Sequence, residues 1–406
     1  MSDPSSVLFV SRYYWPELIG SAPFSTDIAE WLAAHGRPTT VVTGLPHYPH
    51  DRVFPAYRDG QCRRETVCGV EVERLRVGPP RNGGAVARIA NEAEVLVRGL
   101  AALVTGRYKR HPVVIALCPS ILCVALGVAA RRRGGVCVAI VHDIQSGLAE
   151  KLGMVGGGPM GRLMRATERA VLNRTDLVAV LSQEMKDQLR AIGITVPIEV
   201  IPLWVDTDQI QAAPAVARPG VKVLYSGNLG RKQGLGQVVA LARELADRRL
   251  DIEIVLRGDG NQAGELLEQI KSLGLTNIQL TELHPNEALG AALAAGDIHL
   301  VPQRPDAAAF AVPSKVFNIM AVGRPFVATA LPDSVLWRLQ HQSGAFLCVP
   351  PDDPPSFAEA VIRLADDSRL RQELGRRGRE FVEAHYAKPL ILGHLVDRLD
   401  AIAAAK

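Results

Sequence analysis

VKVLYSGNLGRKQGLGQVVALARELADRRLDIEIVLRG, residues 221–258, is the stretch that decides the fold. VKVLYS reads as a strand running into a glycine-rich loop, residues 236–247 have the apolar spacing of a helix, and IEIVLRG is strand-like again. Strands joined through a helix pair in parallel, with the helix lying on the sheet. The alternation continues outward through helix 264–272, strand IQLTE, helix 286–295 and strand IHLVP. FAVPSKVFNIMAVGRPFVA follows at 310–328, and FVAT, FLCV and a final helical stretch complete this half. Within 310–328, Pro313 and Ser314 stand where a first helical turn begins. Val316, Phe317, Met320 and Ala321 recur at helical spacing, and Gly323 with Pro325 gives the stop, so a helix of two to three turns is expected. Ser314 and Lys315 at its start would make an anion seat, with a phosphorylated ligand as the first expectation. The alternative is an ordinary buried helix with a serine cap and a solvated lysine.

The first half repeats the scheme. VLFVS (7–11) is followed by an amphipathic helix from Ser25 to His35, VVTGL (41–45), a loop around His47-Tyr48-Pro49, and VEVERLRV as an alternating strand. A helical tract from Val86 to Val104 precedes VVIALC, and ILCVALGVAARRRG reads as a helix ending at glycine. The strand VCVAIVHD, a glycine-rich loop at 153–161, a helix through Leu172 and the strand LVAVLS come next. QAAPAVARPG (211–220) behaves as a linker. The expected division is residues 1–205, residues 206–380, and a C-terminal helix over 381–406 returning to the first domain. Both domains are read as doubly wound, Rossmann-like α/β units, which bind ligands at the carboxyl ends of their strands. Those ends carry Ser11 to Gly20, His142 and Asp143 in the first half, and Tyr225 to Gly234, Gly258 to Gly260 and the 310–318 loop in the second. Two facing sheets imply a cleft between domains.

At 406 residues, 48% hydrophobic and 22% charged, the chain has room for two full cores. The net charge of +4 is uneven: residues 1–205 hold 24 Lys/Arg against 18 Asp/Glu, the remainder 22 against 24. A basic half without aromatic-interleaved Arg/Lys clusters points to a membrane surface or a phosphorylated substrate, and away from nucleic acid. The six cysteines form no CxxC pair and are read as reduced structural thiols. The N-terminus begins a strand at once, so a signal peptide is not expected and the chain is placed in the cytoplasm. Pro112 to Ala130 carries no charge and is long enough to span a bilayer, but it reads as a buried strand, a turn and a helix. The tract Val86–Val104, with Arg88, Arg98, Arg107, Lys109 and Arg110 along or after it, could lie on the inner face of the cytoplasmic membrane or simply cover the sheet.

YYWPELIG near the start, the LPHYP loop, His142-Asp143, YSGNLGRKQGL at 225–235, the RGDG turn and VPSKVFNIMAVGRPFVAT stand in an order that resembles the family 4 retaining glycosyltransferases of the GT-B fold, most closely their exopolysaccharide branch. The resemblance implies transfer of a sugar from a UDP- or GDP-sugar to a glycan or polyprenyl-diphosphate-linked acceptor, with no cofactor and no metal. In such a protein the second domain holds the donor. Lys232, Lys315 and Arg231 would neutralise the diphosphate, and Gly20 and Ser21 would let the first domain approach it. Gly227, Asn228, Gly258, Asp259, Gly260, His284, Pro313, Ser314 and Asn318 complete the donor set. Tyr13, Tyr14, Trp15, Glu17, His47 and Tyr48 lie on the acceptor side. Asp143 is the candidate base or electrostatic partner for the acceptor hydroxyl, with a helix cap as its alternative, and His142 would contact the donor sugar or bridge backbone groups. The family's two glutamates fall on Phe310 and Asn318, and its arginine near Asn228, so Lys232 takes that weight here. Asp206-Thr207-Asp208 copies the acid-x-acid pattern of metal-dependent transferases of another fold and is read as a decoy. A nucleotide-sugar 2-epimerase and a non-catalytic sugar-nucleotide-binding protein are the alternatives.

Overall fold

Fully buried apolar strands form the centre of each half, as parallel sheets covered on both faces require. The computed structural model describes the chain except residues 1–5, 19, 48–51, 60–61, 81–84, 119, 145–158, 215–217, 231–232, 250, 283–288, 306–312 and 333. Tyr48, Arg231, Lys232, His284, Phe310 and most of the glycine-rich loop at 153–161 therefore lie outside the described residues. The described residues form two compact units, Met1–Pro202 with Leu392–Lys406, and Leu203–Ile391.

The first unit holds β1 (Val7–Val10), β2 (Thr39–Thr43), β3 (Arg64–Val67), β4 (Val70–Arg74), β5 (His111–Cys118), β6 (Arg131–Val141), β7 (Leu177–Val180) and β8 (Ile198–Val200), in the order β3-β4-β2-β1-β5-β6-β7-β8. Every pairing is parallel except β3 with β4. That edge strand was not anticipated. Cys68 and Gly69, both at positive φ (49° and 78°), close β3 onto β4 as a two-residue hairpin, the geometry favoured by right-handed strand twist. The second unit holds β9 (Val221–Ser226), β10 (Ile252–Arg257), β11 (Ile278–Thr281), β12 (Ile298–Val301), β13 (Phe326–Thr329) and β14 (Leu347–Val349), all parallel, in the order β11-β10-β9-β12-β13-β14. Strand order reverses at β1, between β2 and β5, and at β9, between β10 and β12. These are the switch points where a doubly wound sheet leaves a crevice at its carboxyl edge.

Some sequence expectations hold and others are corrected. The helix expected to run through Arg131–Arg133 to glycine stops at Ala130, and the arginines begin β6. Arg131 is extended there because it pairs with His111 across a bulged register and forms an ion pair with Asp176. Pro112–Ala130 is strand plus a ten-residue helix, Ile121–Ala130. Among the described residues no helix is long and apolar enough to cross a membrane. The helix expected in 310–328 is Lys315–Ala321, seven residues, about two turns. Residues 211–214 do not hang free as a linker: the Arg324 guanidinium donates to the carbonyls of Ala213 and Pro214, both at 2.7 Å, and to those of Gly296 and Ala294 at 3.0 Å.

The helix Ala85–Val104 lays its apolar stripe on the first unit. Val95 and Ala102 are buried, Leu96, Leu100 and Leu103 pack on the core, and Gly99 lies so close to Leu126 that an added Cβ would stand 2.3 Å from its Cδ2. Val97 and Val104 are left outside, 65% and 85% exposed.

Candidate functional site

In the second unit the carboxyl edge is built from two glycine turns in backbone contact. Gly227 follows β9 at φ 141° and Gly258 follows β10; a Cβ on Gly258 would stand 1.9 Å from the Gly227 carbonyl oxygen, so no side chain fits. The turns are tied by Gly227 N–H to the Arg257 carbonyl and Leu229 N–H to the Asp259 carbonyl, both at 2.9 Å. The Asp259 carboxylate accepts from Gly260 N–H at 2.7 Å, and the Tyr225 hydroxyl donates to the Asn228 carbonyl at 2.7 Å.

Lys315 opens the next element but does not point into water. Its Nζ is buried, has no hydrogen-bond partner among the described residues, and lies 3.9 Å from the Tyr225 ring centroid and 2.9 Å from where a Cβ on Gly227 would be. Burial without a counter-charge lowers the amine to about 7. Ser314, expected as a cap, is exposed, already helical, and makes no side-chain capping bond. Pro313 and Asn318 are half-buried on the same element, where the Pro313 carbonyl accepts from Val316 N–H and the Asn318 carbonyl from Val322 N–H. Behind the turns Arg257 is buried, with one N–H on the Ala292 carbonyl and Nε without a partner. A cavity of about 520 Å³ opens at this edge, lined by Gly234, Gln237, Gln262, Arg304 and Asp352 among others.

In the first unit the loop after β1 carries Tyr13 to Ser21. Glu17 is buried and its carboxylate accepts the His47 backbone N–H at 2.8 Å, while the Tyr13 and His47 rings lie 5.9 Å apart. Tyr14 faces inward, 1% exposed, and burial pushes its phenol well up. The Trp15 carbonyl accepts from Arg74 at 2.6 Å. Gly20, at φ 72°, and Ser21 lead into the helix Ala22–Ala34, whose Ser25 hydroxyl donates to the Ser21 carbonyl. His142 and Asp143 directly follow β6. The His142 ring meets Phe24 edge-on at 5.7 Å, its Nε2 is buried without a partner among the described residues, and desolvation lowers it to about 4, so it is neutral at neutral pH. Asp143 is exposed, and its carbonyl accepts from the Cys118 thiol at 3.7 Å.

The structure thus groups Tyr13, Glu17 and His47 around one loop of the first unit, and Gly227, Asn228, Gly258, Asp259, Gly260 and Lys315 around the paired turns of the second. Asp206 is occupied as a turn cap, accepting from Asp208 N–H and Gln209 N–H, and pairs with Lys388. Among the described residues no group of three or more His, Cys, Asp or Glu is arranged to hold a metal ion. Sequence reading took in Tyr225 at a strand end and Arg257 in the RGDG turn but gave neither a role. The signal for Tyr225 was an aromatic at the last inward position of VKVLYS, directly before a Ser-Gly-Asn turn.

Two doubly wound parallel sheets in one chain, with glycine turns over a buried cation at the carboxyl edge of the second, define a protein of the GT-B fold. Residues 20–204 match the glycosyl transferase 4-like domain and residues 220–367 the glycosyl transferases group 1 model. The chain belongs to the group 1 glycosyltransferases, in family 4, which transfer sugars from nucleotide sugars. It is 29% identical over 96% of its length to a colanic acid biosynthesis glycosyl transferase of Escherichia coli, WcaI, covering 98% of that protein. Its fold is similar to sucrose-phosphate synthase of Thermosynechococcus elongatus, with a TM-score of 0.76 and 18% identity over 99% of this chain and 100% of that one. It is similar also to Anabaena HepE solved with UDP-glucose, with a TM-score of 0.69 and 16% identity over 98% and 99%.

Proposed function

We propose that this glycosyltransferase is a retaining, metal-independent hexosyltransferase that moves a sugar from a UDP- or GDP-sugar to a glycan or polyprenyl-diphosphate-linked acceptor of a bacterial exopolysaccharide. The observation that carries the reading is the ammonium of Lys315, buried behind Gly227 with no hydrogen-bond partner among the described residues: a diphosphate at the turn supplies a counter-charge. Full-length similarity to an exopolysaccharide enzyme supports the acceptor class. In this reading the second unit takes the donor through Gly227, Asn228, the Gly258–Gly260 turn and Lys315, joined by Arg231 and Lys232. The first takes the acceptor beside Tyr13 and His47, and Asp143 receives the acceptor proton. His142, neutral and with an unpaired Nε2, hydrogen-bonds a sugar hydroxyl. The protein works in the cytoplasm.

Incubation with UDP-, GDP- and ADP-sugars tests it. Sugar transfer or slow donor hydrolysis, undiminished by a metal chelator, is the expected result. Sugar isomerisation would make the protein an epimerase, binding without turnover would make it a carrier, and loss of activity on chelation would overturn metal independence.

A further inference from the structure

Tyr225 contributes to its core as any large apolar side chain would: with Val221 and Val223 it faces the helices Gly236–Ala246 and Pro354–Asp366. Two of its contacts go beyond that. Its hydroxyl donates to the Asn228 carbonyl at 2.7 Å, and its ring face carries the Lys315 Nζ at 3.9 Å from the centroid. A phenylalanine would fill the same space without the first contact, and a leucine would supply neither.

Among the described residues no group hydrogen-bonds the Lys315 amine. On β9 it meets Tyr225. From β12 it faces His299, which is fully buried, donates Nε2–H to the Leu293 carbonyl at 3.0 Å, is lowered to about 3 by desolvation, and itself feels the charges of Arg324 and Arg257. Asp259 on the β10 turn is engaged with Gly260 N–H, and on the lysine's own helix Asn318 is neutral. An ammonium buried without a hydrogen-bond partner among the described residues, with its charge on an aromatic face, is stabilised chiefly by that face. The ring therefore decides where the charge stands and how readily it persists.

We infer that Tyr225 is the positioning residue of the donor diphosphate: its ring holds the Lys315 ammonium behind Gly227 and its hydroxyl fixes the Asn228 carbonyl, so that one side chain sets both the charge and the turn. The inference rests on the donor reading proposed above and adds to it a residue that does not itself touch the ligand. A diphosphate docking over Gly227 then meets a charge one backbone layer behind the surface, and its arrival favours the protonated amine. Donor affinity falls on the alkaline side as Lys315 loses its proton.

The test measures UDP, GDP and ADP binding by calorimetry, and donor KM and kcat, between pH 6 and pH 9 for wild type, Tyr225→Phe, Tyr225→Leu and Lys315→Met. Tyr225→Phe keeps the ring, and its donor KM should rise about fivefold with the pH limb unmoved, the effect of one hydrogen bond. In Tyr225→Leu the KM should rise more than tenfold, kcat should change less, and the alkaline limb should move to lower pH because the charged amine has lost its aromatic face. Lys315→Met should abolish the limb, and it keeps the test decisive where Tyr225→Leu fails to fold. An unmoved limb in a folded Tyr225→Leu, or a limb that persists in Lys315→Met, overturns the inference. A wild type that binds donor with no alkaline limb overturns it while leaving the donor reading intact, and a wild type that takes no sugar nucleotide overturns both.

Discussion

A lysine placed where a ligand charge is expected carries its cost in the unliganded protein. The folded chain holds Lys315 at about 7 against an ordinary 10.5, so between those values the unfolded chain binds a proton that the folded one has released, and stability rises with pH across that window. Lys315→Met removes the desolvated charge. It should stabilise the protein at pH 7 by about 1–4 kcal/mol and flatten the rise, while donor affinity falls. Urea unfolding of both proteins at pH 7 and pH 9.5 checks this, and equal slopes would contradict it. At acid pH the sign is the same for another group. His299 sits at about 3 against 6.5, so the unfolded state takes up its proton first and stability drains away as pH falls from 6.5 towards 3. His299→Gln should lessen that loss, read as a smaller fall in Tm between pH 6.5 and pH 4.

Elements were legible where one period ruled and illegible where a contact from elsewhere overrode it. The buried strands β5, β9, β10 and β12 and the helix Gly236–Ala246 follow from apolar runs and helical spacing. Arg131–Arg133 looked like a basic helix end, and only strand pairing and Asp176 make it extended. The glycine turns were visible as motifs, but the inward course of Lys315 was not, since nothing in VPSKVF says which way a long side chain turns. The linker reading failed on Arg324, a residue more than a hundred positions away. Arg324→Met would leave the carbonyls of Ala213, Pro214, Ala294 and Gly296 without this donor, at a cost of about 3 kcal/mol or more. Cleavage by elastase after the small residues of 212–217 should then accelerate under native conditions, and an unchanged rate would mean that other contacts hold the segment. In the helix Ala85–Val104 the tight approach of Gly99 to Leu126 makes Gly99→Val an overpacking substitution, expected to cost about 1–3 kcal/mol by chemical denaturation.

For the chain as a whole, the two ends of the sequence belong to one unit. Leu392–Lys406 is counted with Met1–Pro202, and the reason is visible in its contacts. Leu392, Leu395 and Leu399 are buried, Arg398 and His394 reach Glu199 of β8 at 2.7 and 3.1 Å, Asp400 pairs with Arg37, and Lys406 with Asp176. The exposed ion pairs contribute little singly, so the leucines dominate. Three buried leucines correspond to about 4 kcal/mol or more, within the range that separates a folded unit from a marginal one. Removing residues 392–406 should therefore lower the transition of the first unit and leave that of the second nearly in place, because Leu203–Ile391 keeps its sheet and its core. Differential scanning calorimetry resolves the two when they melt separately. Wild type and truncation should share the transition that a bound nucleoside diphosphate raises, since a ligand held by one unit stabilises that unit first. If truncation instead shifts the ligand-responsive transition, the terminal helix supports the donor unit, and the assignment of its three leucines to the first core is wrong.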